Sequence, residues 1–263
     1  MLNPRPAIEF AMASDTGLQR TNNEDAVAIN TPLRLIVLAD GMGGYNAGEV
    51  ASGIAVREVQ AALSAAGADQ PPRARLDAAV RRAHQQIFDR ARAEPDCQGM
   101  GTTLVASLLD DAQLWIAHVG DSRLYRLRDN QLTCLTRDHS LVEEMIARGQ
   151  YSRDDAIKLV KKNIVTRALG VETEVEIDIQ VTNVAEGDVY LACSDGLNDM
   201  IDDDMIAMRL RQGARGPLEL LAGSLIQAAL DAGGHDNVTV ALSRVNALGD
   251  SDAPWYRRLI DHF

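Results

Sequence analysis

Three β-prone segments, residues 102–109, 113–119 and 122–127, follow one another with only the Asp110-Asp111 and Gly120-Asp121 turns to mark their limits. Strands joined that tightly must run antiparallel, so the middle of the chain builds an antiparallel sheet. Leu35-Ile36-Val37-Leu38-Ala39 is a continuous apolar run, the pattern of a strand buried on both faces. Val175, Ile177, Ile179 and Val181 alternate with Glu176, Asp178, Gln180 and Thr182, which predicts a strand with one face in the core and one in water. Residues 188–193 and 237–244 supply two more strands.

Helical periodicity appears at 48–65, through Ala51, Ala55, Val59 and Ala62, and at 73–93, through Leu76, Val80, Ala83, Ile87 and Ala91. Two helices in succession do not fit a βαβ alternation. Helices return at 202–211 and 217–230, the latter with Pro217 at its first turn and Gly233-Gly234 past its end. This order predicts an α+β fold, a sandwich of two antiparallel β-sheets flanked by α-helices. Residues 1–245 read as one domain. Residues 138–170 read as an inserted helical flap, with a helix over Ser140–Arg148 and the basic residues Lys158, Lys161, Lys162 and Arg167. Residues 246–263 read as a tail, in which Trp255, Leu259 and Ile260 could form a short docking helix.

The formal net charge is −12. An acidic surface repels phosphate backbones, which argues against nucleic-acid binding as the main role. Cys97, Cys134 and Cys193 show neither disulfide nor metal-ligand spacing and read as small buried hydrophobes in a reducing compartment. No signal peptide and no run of about 18 apolar residues is evident. The expected setting is therefore the cytoplasm, with no membrane span, and a monomer is the plain expectation.

Four aspartates stand where apolar runs meet turns. Leu35–Ala39 leads into Asp40, Leu114–Val119 into Gly120-Asp121 and Val189–Cys193 into Ser194-Asp195, while Asp236 directly precedes Val238–Leu242. Any one of these reads as turn chemistry. As a set, they can share one rim of a sheet layer, and an all-oxygen cluster of that kind suits magnesium or manganese. Two such cations favour phosphoryl hydrolysis. Upstream, Arg20, Glu24 and Asp25 fall within six residues, an arginine fork for a phosphate oxygen beside further carboxylates.

Taken together, Arg20-x-x-Asn23-Glu24-Asp25-Ala26, Ala39-Asp40-Gly41-Met42-Gly43-Gly44, Gly101-Thr102-Thr103, Gly120-Asp121-Ser122-Arg123, Ser194-Asp195-Gly196 and Asp236-Asn237 resemble, in order, the motifs of the metal-dependent protein phosphatase (protein phosphatase 2C) family, its compact bacterial members above all. The resemblance spans about Ser14 to Val245. It implies hydrolysis of phosphoserine and phosphothreonine in proteins by a hydroxide held between two Mn2+ or Mg2+ ions, opposite a bacterial serine/threonine kinase. It further implies that Asp40 bridges the two ions, that Asp195 and Asp236 complete the first, and that Glu24 and the Gly41 carbonyl serve the second with support from Asp25. Asp121 with Asp195 would form a third, weaker site. Arg20 would grip the phosphate, and Asn237 would orient Asp236 or a water.

One departure is chemical. Eukaryotic relatives carry a histidine where this chain has Met42, which cannot transfer a proton; His139 and His235 lie near motifs, but lone histidines at turns are more often structural. Cys193 lacks the Cys-x5-Arg phosphate loop of thiol phosphatases. Two further readings stay open: a phosphatase dedicated to one partner-switching phosphoprotein, and a non-catalytic phosphoprotein-binding module.

Overall fold

In the computed structural model the described residues are 7–44, 47–67, 70–149, 151–152, 155–156, 159–160 and 164–248. The strands are β1 (Ala7–Asp15), β2 (Asp25–Asn30), β3 (Leu35–Met42), β4 (Gly101–Thr102), β5 (Leu104–Asp110), β6 (Gln113–Val119), β7 (Arg123–Arg128), β8 (Gln131–Cys134), β9 (Asp178–Asn183), β10 (Val189–Cys193) and β11 (Val238–Ala247). The helices are α1 (Ala47–Ala65), α2 (Pro72–Ala93), α3 (Leu141–Ala147), α4 (Asp195–Asn198), α5 (Asp203–Gly213) and α6 (Leu218–Asp231), with a 3-10 turn at Pro95–Cys97.

One sheet has the order β1-β11-β10-β7-β8; the other has β2-β3-β5-β6-β9, with β4 beside β3. Every pairing is antiparallel. The alternation along β3 shows why the run 35–39 is apolar throughout. Ile36 and Leu38 pack between the sheets with Val105, Ile116, Leu124 and Tyr190. Leu35, Val37 and Ala39 face the other way, onto α1 and α2, against Ala51, Ala55, Val59 and Leu76. On the far side Leu191, Val238, Val240 and Leu242 pack under Leu210, Leu221 and Leu225 of α5 and α6. Burying both faces of each sheet in this way makes the four-layer helix–sheet–sheet–helix sandwich expected from the sequence.

Several boundaries differ from the sequence reading. The predicted strand over Val175–Val181 begins only at Asp178 and runs to Asn183. Val175 is buried before it starts, while Val181 is 44% exposed, because β9 is an edge strand and the helical layer does not reach that far. Strand β11 continues to Ala247, into the stretch read as tail, because Ala7 at the start of β1 still pairs with it there. Pro217 is the cap residue of α6 rather than a member of its first turn. Cys134 is exposed, unlike Cys97 and Cys193; it ends the edge strand β8, and its thiol donates to the Thr136 carbonyl at 3.3 Å.

In the 138–170 segment, α3 forms where expected, with the Ser140 hydroxyl accepting from the Glu143 amide at 3.3 Å. The base of the segment is stitched by isolated bridges, Ser140 to Val165 and Thr102 to Leu169. Lys158, Lys161, Lys162, Trp255, Leu259 and Ile260 lie outside the described residues.

Candidate metal centre

Antiparallel pairing brings the acids to one rim. β3 ends where β2 begins, so Asp40 stands directly across from Asp25. β10 and β1 end where β11 begins, with Cys193 opposite Val240 and Asp15 opposite Val238, and this places Asp195 beside Asp236. β6 delivers Asp121 to the same edge. The carboxyl of Asp40 feels those of Asp25, Asp195 and Asp121; that of Asp195 feels Asp121, Asp199, Asp236 and Asp25. Asp199, one turn along α4, joins this set without any motif in the sequence having marked it.

The electrostatics are those of anions crowded together out of water. Burial first, and then repulsion from Asp25, Asp195 and Asp121, lifts Asp40 well above the usual carboxylate range. Burial and then Asp121, Asp199 and Asp236 do the same to Asp195. Burial raises Asp25 and Asp121 to about 6 each. Buried carboxylates that repel one another are stable as anions only beside positive charge. The Oδ1 atom of Asp25 is buried without a hydrogen-bond partner. An oxygen-only donor set of this kind fits hard divalent cations. Gly41 and Gly48 let two stretches of backbone meet beside Glu24: a Cβ on Gly41 would lie 2.1 Å from the Gly48 carbonyl oxygen, and one on Gly48 would lie 2.8 Å from the Glu24 carboxyl. Only glycine lets the start of α1 come this close to Glu24, whose carboxyl is raised by burial and partly offset by Arg20.

Small hydroxyl residues hold the acids in place. Thr103 Oγ1 accepts from the Asp40 amide at 3.0 Å and bonds Ser122 Oγ at 2.7 Å, while Thr102 Oγ1 donates to the Asp40 carbonyl at 2.8 Å. Ser194 Oγ donates to Asp25 Oδ2 at 2.7 Å and accepts from the Thr239 amide at 3.0 Å. The Gly101-Thr102-Thr103 motif was visible in the sequence without a role, and the part played by Ser194 was missed; its only signal is adjacency to Asp195.

Arg20 Nη2 donates to Asp236 Oδ2 at 2.7 Å, and its side chain is 50% exposed at the rim. Asn237 differs from expectation. Its amide hydrogen does hold Asp236, donating to Oδ1 at 2.8 Å. Its side chain, however, is consumed by the loop that carries Arg20: Nδ2 donates to the carbonyls of Thr16 and Asn22 at 2.9 and 2.8 Å, and Oδ1 accepts from the Glu24 amide at 2.8 Å. Both Nδ2 hydrogens are spent on that loop, so the side chain has no donor left for a water.

His139 is buried and His235 is exposed. His139 accepts from the Gly120 amide and lies against Asp178, which supports the structural reading of that ring. Cys193 is fully buried, and burial pushes its thiol far above the ordinary range, so it is no nucleophile. An open groove of about 610 Å³ runs from Asp121 and Asp195 past Arg123, Asp138, Asn198 and Asp203. Arg123 is fixed there by two bonds to Asp138, at 2.9 and 2.7 Å.

Known proteins resemble this chain in sequence and in fold. The chain is 41% identical over 243 residues to serine/threonine protein phosphatase PstP of Mycobacterium tuberculosis, covering 90% of this chain but only 45% of that protein's length. It is 40% identical over 247 residues to serine/threonine phosphatase stp of Listeria welshimeri, covering 89% of this chain and 95% of that one. A solved structure, the catalytic domain of PstP in complex with two manganese ions, superposes with a TM-score of 0.79 at 41% identity, over 91% of this chain and 99% of that one. The family model described as protein phosphatase 2C matches residues 18–216, a span that takes in Arg20, Glu24, Asp40, Asp121 and Asp195. On that match and these relatives, the chain belongs to the protein phosphatase 2C family.

Proposed function

We propose that this protein is a Mn2+- or Mg2+-dependent phosphatase that hydrolyses phosphoserine and phosphothreonine in proteins and opposes a serine/threonine kinase. The observation that carries the reading is the convergence of Asp40, Asp121, Asp195 and Asp236 on one rim, with Arg20 beside them. The site works in the cytoplasm of a monomer whose catalytic domain is 1–245, with 138–170 as its flap.

Asp40 would bridge two cations, Asp195 and Asp236 would complete the first, and Glu24 with the Gly41 carbonyl would hold the second. Asp121 and Asp195 would share a third. When bound, the cations acidify a water to a nucleophile and neutralise the phosphoryl oxygens. The chain's own work is orientation. Thr102 and Thr103 fix the peptide groups on either side of Asp40, so its carboxylate is presented without rearrangement. Asp236 holds Arg20 through one Nη and leaves the rest of the fork for a phosphate at the mouth. Asn237 ties that loop down from below. Met42 has no proton to give, so the leaving oxygen would take its proton from a water, or leave unprotonated where the leaving group is acidic.

The test is hydrolysis of p-nitrophenyl phosphate and of a phosphothreonine peptide in Mn2+, Mg2+ or EDTA, for wild type and Asp195→Asn. Turnover that requires metal and falls at least about a hundredfold in the variant is expected. Folded, metal-loaded protein inactive on both substrates would overturn the enzymatic reading in favour of a binding module.

A further inference from the structure

His139 stands at the base of the 138–170 segment and grips the turn that carries Asp121. Its backbone amide donates to the Gly120 carbonyl at 2.7 Å, and its Nδ1 accepts from the Gly120 amide at 3.0 Å. Because Nδ1 accepts, the neutral ring carries its proton on Nε2. Nε2 lies 3.2 Å from Asp178 Oδ2, which receives that proton as a hydrogen bond and so fixes the tautomer.

His118, His139 and Asp178 bring one ligand atom each within 4.8 Å of one another, and both ring nitrogens of His118 are buried without partners. That arrangement suggests a transition-metal site, but the tautomer argues against it. A metal on Nε2 of His139 needs the proton on Nδ1, and Nδ1 faces a backbone donor. The Arg167 guanidinium, 3.5 Å from Nε2 and 3.4 Å from Asp178 Oδ1, also occupies the neighbourhood with positive charge.

What the ring does hold is Gly120. This residue has φ +106, and a Cβ there would lie 2.6 Å from Thr103 Cγ2. It can therefore carry no side chain to anchor itself, and its orientation is set by what bonds its peptide groups. The carbonyl that His139 binds belongs to the peptide plane leading directly into Asp121. We infer that His139 is a positioning residue for Asp121: by holding Gly120 from both sides it aims the Asp121 carboxylate at Asp195, and so sets the affinity of the third, weaker cation site. The His139 carbonyl also accepts from the Thr166 amide at 2.8 Å, so the same residue links the exit of the flap to that carboxylate.

The inference rests on Asp121 being a cation ligand, as proposed above, and the experiment separates the two. Metal-free wild type, Asp121→Asn, His139→Ala and His139→Asn are titrated with Mn2+ by calorimetry. Metal dependence of p-nitrophenyl phosphate hydrolysis and the melting temperature are recorded alongside. Asp121→Asn should lose the weakest binding step. His139→Ala should weaken that step about tenfold while the tighter steps keep their affinity. His139→Asn, whose Oδ1 can stand where Nδ1 stands, should restore most of it. If His139→Ala fails to fold, Asp178→Ala is used; Asp178 is 48% exposed, and its removal should weaken the same step through the freed ring. A weakest step lost in Asp121→Asn but unchanged in His139→Ala overturns the positioning role and leaves Asp121 as a ligand. A weakest step intact in Asp121→Asn overturns both. Equal weakening of every step with a lowered melting temperature would mark His139 as structural only and overturn the inference.

Discussion

At the scale of single residues, the rim is a set of aspartates held by short hydroxyl side chains, a backbone amide and one arginine. Asp40 keeps its place through Thr102 and Thr103, Asp25 through Ser194, and Asp236 through the amide of Asn237 and the fork of Arg20. Arg20 alone reaches from this set into solvent, so it can both hold Asp236 and face an incoming phosphate. Lysine keeps the charge but not the planar fork. Arg20→Lys should therefore lower kcat/KM for p-nitrophenyl phosphate about tenfold to a hundredfold, mostly through KM, as read by steady-state kinetics at saturating Mn2+. The aspartates could be read from the sequence because each stands where an apolar run meets a turn. The hydroxyls could not, because a serine or threonine beside a turn looks the same whether it holds a carboxylate or caps a loop.

At the scale of elements, the strands divide by position. The strands read from the sequence, β3, β5, β6, β7, β10 and β11, are all interior to their sheets. The edge strands β1, β2 and β8 were not anticipated, although Ile8 and Phe10 of β1 and Val27 and Ile29 of β2 alternate toward the layer between the sheets; the fourth edge strand, β9, was displaced by three residues at its start. An edge strand has one side in water and half-buried side chains, so its periodicity is diluted. Yet β1 and β2 bring Ser14, Glu24 and Asp25 to the rim. The β6–β7 turn is equally demanding. Gly120 combines a positive φ with a Cβ position 2.7 Å from Thr103 Cβ and 3.1 Å from its Cα, so the neighbour cannot swing aside. Gly120→Ala should cost about 2–4 kcal/mol in denaturant unfolding, from backbone strain and overpacking together.

At the scale of the whole molecule, an acid buried away from the rim is held by a partner cation and hydrogen-bond donors. Asp188 is the clearest case, buried at the opposite end of β10 from Asp195. Burial alone would raise its carboxyl, but Arg128, at 2.7 and 2.6 Å, the Ala185 amide at 2.8 Å and the Tyr190 hydroxyl at 2.8 Å pull it below its ordinary 3.8. A lowered folded value means the stabilisation is complete above 3.8 and is lost as pH falls through the folded value. Asp188→Asn should cost about 1–3 kcal/mol at pH near 7, and the gap from wild type should close as unfolding is measured at progressively lower pH. The sequence by itself determined the sandwich, because β3 is apolar on both faces and tight turns force antiparallel neighbours. It also marked Asp40, Asp121, Asp195 and Asp236, which the fold brings to one rim, because their position at strand ends is a local property, whereas Asp199 carried no such mark. Only the tertiary structure decided that Asn237 serves the Arg20 loop, that Thr103 and Ser194 hold Asp40 and Asp25, and that His139 grips Gly120. Each of these is a bond between residues far apart in the chain, and its partner is chosen by sheet register and packing, which no local pattern encodes.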